Sequence, residues 1–547
     1  MSTGAIALLV AASQVSSQSP GTGAKRITPE NLRTRLRAFA HDSMMGRQPG
    51  TRGNFVAAEY VAREFKRFGL RAAGEHGTFF QTVPMVREYL DSGSAIFVGD
   101  TRLRAITDIL PAYWLEATLG TLDNAPTIYG GELADTSTWI SAAQARGKVV
   151  LFRTATSSGQ RRGVRPNALL GLPRFAGAVA IFIAHLDLLP PVTIAQAVSG
   201  RIRLGEQPAS TQRPLVYVTP AAGDAILGAP LGSAQPGQAG RPLRGTIATR
   251  RDPLPFLSRN VIAVLPGSDL GLRGQYVSLS AHNDHVGFTN APVDHDSIRA
   301  YDRVVRPMGA DSQLRPATAA EQLRITKILD SLRAIRPPRA DSIMNGADDD
   351  GSGTVALLEI ASALAREKPR RSILFVSHTA EEYGLVGSLW FTSHPTVPRD
   401  SIVAELDEDM IGRGNASDVA GGGPAYLEVV GARRLSTEYG DLLEAANAAQ
   451  PVPFKFNYEF DAPGHPLQYY CRADHFSYAR FGIPSVAISR GEHLDYHQVT
   501  DESQYIDYDV LARVARLAHD AALAVANLDH RPKLDRPKQD PKTPCVQ

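Results

Sequence analysis

Cysteine and tryptophan are scarce here, with two of the first and three of the second among 547 residues. Two cysteines, Cys471 and Cys545, supply neither a disulfide framework nor a thiolate zinc site. Cys471 reads instead as a small buried hydrophobe. The chain also lacks an excess of either charge. Its 58 Lys and Arg oppose 56 Asp and Glu, for a formal balance of +2. The basic residues are scattered, so nothing in that balance calls for nucleic acid or an anionic membrane as partner. No apolar run approaches the roughly 20 residues that a membrane-spanning helix needs. No P-loop is present, because Gly351-Ser352-Gly353 lacks the Lys-Ser/Thr that follows such a loop. No Gly-x-Ser-x-Gly elbow stands near a suitable His and acid, which sets a serine hydrolase aside.

What remains is an ordinary soluble composition, 43% hydrophobic and 21% charged, in a chain too long for one core. Ala5–Ala12 (AIALLVAA) is a short apolar run followed by a polar stretch to Ala24. We read residues 1–24 as a signal peptide and flexible leader, which implies an extracytoplasmic protein, periplasmic or secreted. Residues 25–88 read as helical, with Thr28 capping a helix that opens on Pro29 and a second helix over Asn54–Phe68. Residues 89–252 change texture to short β-rich runs between Gly, Pro and Ser turns, as expected of an inserted β-rich domain. From 253 to 528 short apolar strands alternate with helices. This predicts an α/β domain, a mixed β-sheet flanked by helices. An insertion at 289–344, containing an amphipathic helix over Ala317–Ala334, interrupts it. The tail at 529–547 is rich in Pro, Lys and Asp and reads as disordered.

Acids and imidazoles gather just after the predicted strands of this second half. Tyr276–Ser280 leads to His282-Asn283-Asp284-His285, and Asp348-Asp349-Asp350 opens the helix at Val355. Ile373–Val376 leads to His378 and Glu381-Glu382, and Ile402–Leu406 to Asp407-Glu408-Asp409. Ser485–Ile488 leads to His493, Asp495, Tyr496 and His497. Ligands of open α/β sheets bind outside the carboxyl ends of the strands. Carboxylates packed there without cations would repel one another and take up protons. A divalent metal removes that conflict, and mixed His and carboxylate donors suit zinc. Two metals sharing one carboxylate would activate a water and stabilise an oxyanion.

Five motifs, AHNDHVG (Ala281–Gly287), NGADDDGSG (Asn345–Gly353), HTAEEYGLVGS (His378–Ser388), DMIGR (Asp409–Arg413) and DYHQVTD (Asp495–Asp501), occur in this order. Together they resemble the M28 peptidases, the di-zinc aminopeptidase family, over Ile27–Leu528. The resemblance implies a zinc-dependent exopeptidase fold with two Zn2+ ions. Asp349 would bridge them, with His282 and Asp409 completing one site and Glu382 and His497 the other. Glu381 would be the general base acting on a metal-bridging water, Tyr496 an oxyanion-stabilising group, and Asp284 the acid that orients His282. The region 89–252 is similar to the protease-associated (PA) domain of that family. The implied activity is aminopeptidase cleavage of peptides. A carboxypeptidase, drawing on Arg299, Arg303 and Arg306, a glutaminyl-cyclase-like aminoacyl transferase and a receptor-like binding module are the alternatives. Of the neighbouring groups, His285 reads as a pocket wall and His378 as a neighbour of the ligands. Asp348 and Asp350 read as loop-bonding acids, Asp407 and Glu408 as rivals of Asp409, and Asp474-His475 as structural. Asp294, His295 and Asp296 read as solvated loop charge.

Overall fold

The computed structural model describes residues 23–112, 120–154, 169, 172–205 and 214–547. The expected leader lies outside the described residues up to position 22. The chain divides into two compact units, one of Met1–Val83 with Pro255–Gln547 and one of Pro84–Leu254.

The first unit is built on a nine-stranded sheet. Its strands in chain order are β1 (Arg71–Ala72), β2 (Phe80–Val83), β3 (Ser258–Leu265), β4 (Tyr276–His282), β5 (Ser372–His378), β6 (Ile402–Glu408), β7 (Tyr426–Val430), β8 (Lys455–Asn457) and β9 (Ser485–Ser489). The spatial order is β1-β3-β5-β4-β6-β9-β7-β8, with β2 paired to β3. Strands β5, β4, β6 and β9 run parallel, while β3 and β7 join that block antiparallel. The sheet is therefore mixed, with helices packed around it. In-register pairing puts His282 of β4 opposite His378 of β5, so the parallel strands end level with one another.

Burial explains the strand sequences. All seven residues of Ser372–His378 and of Ile402–Glu408 are buried, as expected of strands covered on both faces. The helix Gly351–Leu364 is also buried nearly all round, packing with Pro29–Phe39, Arg52–Arg67 and Tyr508–Ala526 in one continuous core. Asp350 caps it by accepting from the Gly353 amide at 2.9 Å. Gly353 has to be glycine, because a Cβ there would lie 2.0 Å from the Glu408 carbonyl oxygen. This close approach brings the helix start against the end of β6.

The 289–344 segment forms a hairpin, Gly287–Asp294 with Ala340–Met344, and two helices, His295–Val305 and Ala319–Arg333. Asp294 and Asp296 are not the solvated loop charge expected of them. Asp296 is 1% exposed and is held by Arg333, Arg336 and Arg339. His295 is likewise buried and pairs with Asp341 at 3.0 Å. The arginines lie some forty positions on, a distance over which sequence spacing carries no signal.

Two further expectations are corrected at the C-terminus. Cys471 is no isolated hydrophobe: it forms a disulfide with Cys545. The segment after Asp529 is not a free tail. The Asp535 amide donates to the Leu435 carbonyl, the Gln547 side chain accepts from the Tyr470 amide at 2.9 Å, and the disulfide fastens the end. A polar composition that supplies no core of its own is here ordered by a covalent tie and backbone hydrogen bonds. Among the described residues no helix is long and apolar enough to cross a membrane.

The second unit contains a five-stranded sheet in the order Ile109–Pro111, Leu215–Val218, Ala180–Ala184, Val149–Arg153, Thr127–Glu132. It also holds a four-stranded sheet and a three-stranded one. The last four strands of the five are parallel, a pattern that turn spacing alone did not foretell. In the three-stranded sheet Glu88, 3% exposed, meets Arg251 at 2.7 Å, Arg203 at 2.9 Å and Arg201 at 3.0 Å. Burial pushes the Glu88 carboxyl up, yet hydrogen bonds from the three arginines bring it below its ordinary value. Replacing Glu88 by Gln should lower stability by about 3 kcal/mol, measured by denaturant unfolding at neutral pH. With its folded pKa depressed, the stability Glu88 confers is present above its unfolded pKa and is lost as pH falls through the folded one. An unchanged midpoint in the variant would dismiss the clamp.

Candidate metal centre

Each acid or imidazole singled out after a strand lies at the carboxyl end of the parallel block, where peptide groups, having used their hydrogen bonds in the ladder, give way to loops. His282 is the last residue of β4, Asp409 follows β6, and Glu381 and Glu382 lie in the turn after β5. Asp349 precedes the capped start of the Gly351–Leu364 helix, and His497 sits in the loop after β9.

Asp349 stands between two groups of donors. Its Oδ1 lies 3.2 Å from His282 Nε2, which in turn is 3.7 Å from Asp409 Oδ1. Its Oδ2 lies 3.0 Å from His497 Nε2, which is 2.8 Å from Glu382 Oε2. One carboxylate thus offers one oxygen to each side. The five residues proposed as ligands from the motifs are brought together, and the side chains of His282, Asp349 and Glu382 are nearly inaccessible.

The fit to cations can be read from the unmet polar atoms. His282 Nε2, Asp349 Oδ2, Glu382 Oε1, Asp409 Oδ1 and His497 Nε2 are buried without a hydrogen-bond partner. So many orphaned donors and acceptors at one point would be costly unless something binds them. Charge argues in the same direction. Burial depresses the His282 imidazole, but the carboxylates of Asp284, Asp349 and Asp409 raise its pKa well above the ordinary value. His497 is raised by Glu382 and Asp349 against the same burial. The place attracts positive charge, and neutral imidazoles among carboxylates suit zinc.

His285 sits closer to this centre than its reading as a pocket wall implied. It is fully buried, with Nδ1 2.7 Å from Glu382 Oε1 and 3.7 Å from Asp349 Oδ2. It is therefore a fourth donor beside Asp349, Glu382 and His497. Asp350 lies near His282 and Asp409 as well. Its oxygens already accept from the backbone amides of His282, Gly353 and Met410, so it builds the loop rather than offering a lone pair.

Glu381 lies with Oε2 3.9 Å from His282 Nε2 and lines the same cavity as Asp349, Glu382, Asp409, Tyr496 and His497. Burial pushes its carboxyl well above the ordinary value, with Asp409 and Glu382 adding to the rise. Its backbone amide donates to Asp284 Oδ1 at 3.1 Å, and the same oxygen is 3.5 Å from His282 Nδ1. Asp284 thereby ties the Glu381 backbone to the His282 imidazole. Tyr496 lies against His497 with ring centres 4.0 Å apart and planes tilted by 31°, and its hydroxyl is 3.5 Å from Arg472.

Of the two rival acids, Asp407 turns to Ser280, and Glu408 is fully buried with both carboxylate oxygens unpaired. Asp407 and Glu405 both approach the Ser280 hydroxyl, at 2.8 and 2.7 Å. His378 pairs with the Tyr478 hydroxyl at 3.0 Å, and burial drops its pKa to about 3. The basic set imagined for a substrate carboxylate does not assemble. Arg299 grips Asp495 through two bonds of 2.8 and 2.9 Å, Arg306 lies against Asp302, and Arg303 is exposed.

Two positioning residues escaped the sequence. Arg47, fully buried, donates to the carbonyls of Asn345, Gly346 and Asp349, nearly 300 positions away. Asp501 accepts from the amides of Asp348 and Asp349 at 3.0 to 3.1 Å. Asp501 closes a motif already noticed and could have been suspected; a lone arginine in a helical region gives no such hint.

The model of the peptidase family M28 matches residues 260–522. Leucine aminopeptidase 1 of Ajellomyces dermatitidis is 30% identical over 200 residues, covering 34% of this chain and 48% of that protein. Aminopeptidase Y of Saccharomyces cerevisiae is 27% identical over 207 residues, covering 35% and 36%. The chain thus spans about half or less of the length of these curated relatives. Among solved structures, an aminopeptidase from Aneurinibacillus sp. strain AM-1 is 16% identical with a TM-score of 0.49, over 94% of this chain and 98% of that one. A zinc aminopeptidase from Bacillus subtilis, also 16% identical, gives 0.45 over 90% and 94%.

Replacing Asp501 by Asn, or Arg47 by Met, should weaken metal affinity about tenfold or more, because each removes support from the loop that carries Asp349. Chelator competition with zinc quantified by elemental analysis measures this. Unaltered affinity in both variants would remove their assigned role.

Proposed function

We propose that this chain, whose residues 260–522 belong to peptidase family M28, is a zinc-dependent exopeptidase that removes N-terminal residues from peptides. The observation that carries this reading is the placement of Asp349, one oxygen toward His282 and Asp409 and the other toward His497 and Glu382. In this reading His282, Asp349 and Asp409 hold one zinc, and Asp349, Glu382 and His497 the other, with His285 beside the second. When bound, the ions supply Lewis acidity, which lowers the pKa of water and polarises a carbonyl.

The remaining work falls to the chain's own side chains. Glu381 receives the proton of the attacking water and returns it to the departing amine. A carboxylate raised by burial can hold that proton between the two transfers, and its anchored backbone keeps it facing the cavity. Tyr496 offers its hydroxyl to the carbonyl oxygen as negative charge grows there. Burial pushes its own pKa well above the ordinary value, so it stays a donor at working pH.

An acidic cavity favours the amino end of a peptide. Its lining includes Asp349, Glu381, Glu382 and Asp409, which can meet a free α-amine, and Arg472 there is already bound to Asp311 at 2.5 Å. The unit Pro84–Leu254 is read as a protease-associated domain, on the Val149–Arg153 strand that follows Gly147-Lys148. An oxidising, extracytoplasmic location fits the apolar run at Ala5–Ala12 and the Cys471–Cys545 disulfide.

Glu381→Gln should reduce kcat by at least about a hundredfold while zinc content stays at the unmodified level. Turnover close to that of the unmodified protein would refute Glu381 as the base. Zinc-loaded protein should cut carboxy-amidated peptides and leave amino-acetylated ones intact, followed by mass spectrometry. The reverse pattern would make the chain a carboxypeptidase, and pyroglutamate formation from an N-terminal Gln peptide would make it a transferase.

A further inference from the structure

The cavity that holds the candidate base continues past the metal-facing residues to two more acids. It has a volume of about 310 Å³, and its lining includes Glu428 and Glu492 beside the apolar side chains of Leu385, Val430 and Ala487. Glu428 is 1% exposed and Glu492 7%. In each, Oε2 is buried without a hydrogen-bond partner. Glu428 Oε1 accepts from the Tyr426 hydroxyl at 2.5 Å. Glu492 Oε1 lies 3.4 Å from Arg472, whose nearer partner is Asp311. Asp311 and Glu492 therefore share the Arg472 guanidinium, and Glu428 adds a further acid to the same lining.

Buried carboxylates ordinarily come paired. Burial, reinforced by Glu459, pushes Glu428 up to about 7 against the pull of Tyr426. Burial and the nearby Asp311 push Glu492 up to about 10. A pocket meant for leucine would gain nothing from this arrangement. Apolar walls ending in acids that each keep one buried oxygen unpaired instead match a side chain with an aliphatic stem and a cationic head.

We infer that this cavity receives the side chain of the residue being removed, and that Glu428 and Glu492 select lysine or arginine there. The inference rests on the aminopeptidase reading and adds its substrate class. Glu428 and Glu492 are specificity residues and take no part in the bond-breaking step. Neither belongs to the five-residue ligand set or to the motifs that carry the family likeness.

The test compares kcat/KM for the p-nitroanilides of lysine, arginine, norleucine and leucine on the zinc-loaded full chain. Norleucine matches the lysine stem without its charge. Lysine and arginine should exceed norleucine by about tenfold or more, the scale of a charge-assisted hydrogen bond out of water. Glu428→Gln and Glu492→Gln should each lower the lysine-to-norleucine ratio about tenfold. Should either variant fold poorly, the ratio in the unmodified chain still decides. Norleucine or leucine cut as fast as lysine would overturn the inference while leaving the aminopeptidase reading in place. An equal loss on every substrate in the variants would assign these acids to the α-amine or to the fold and would also overturn it. If no aminoacyl anilide is cut at all, the proposed function falls together with the inference.

Discussion

Electrostatic repulsion among buried carboxylates is the constraint around which this molecule is organised. Asp349, Glu381, Glu382 and Asp409 share one cavity and are largely withdrawn from water. Left to themselves they would take up protons or move apart. The structure answers with imidazoles: His282 and His497 stand within 4 Å of these acids, and His285 meets Glu382 at 2.7 Å. The buried atoms left unpaired then define where cations belong. In the proposed function the same constraint carries the catalysis, since cations held there would acidify water and stabilise an oxyanion.

The remainder of the first unit keeps those groups from relaxing. Parallel strands that end in register, His282 beside His378, align the loops. A buried helix begins against the end of β6, its close approach permitted by Gly353. Arg47 ties down three carbonyls of the loop that holds Asp349, and Asp501 takes up two of its amides. Asp284 connects the His282 ring to the Glu381 backbone. Most of these bonds are to main-chain groups. The chemistry of the centre is thus secured by the obligation of buried peptide groups to find partners.

Residues beyond that centre show the same economy of charge. Asp495, which precedes Tyr496, is held by Arg299 and Arg413, so the insertion steadies the loop that bears His497. The loop Tyr469–Arg472 on the cavity wall is fastened by the Cys471–Cys545 bond and by Gln547. On the same wall Glu428 and Glu492 each leave one buried carboxylate oxygen unpaired.

Much of the centre was legible in the sequence because its donors lie immediately after short apolar strands. Strand ends are local events, and an acid or histidine at such an end needs only the α/β topology to be placed. His282, Asp349, Glu381, Glu382, Asp409, Tyr496 and His497 could be singled out in this way, with a family likeness to assign their parts. The helix capped by Thr28 was legible for a similar reason, since a cap acts within one turn, and the one over Ala319–Arg333 from its amphipathic spacing. What the sequence could not disclose were interactions between distant positions. Arg47 with the Asn345–Asp349 loop, the arginines that bury Asp296, the Cys471–Cys545 bond and the meeting of Glu428 with Glu492 all depend on segments far apart in the chain. Local spacing determines which residues end a strand or start a helix, whereas only the packed chain determines which charges share a low-dielectric space, and it is that sharing which sets their partners, their protonation and their use.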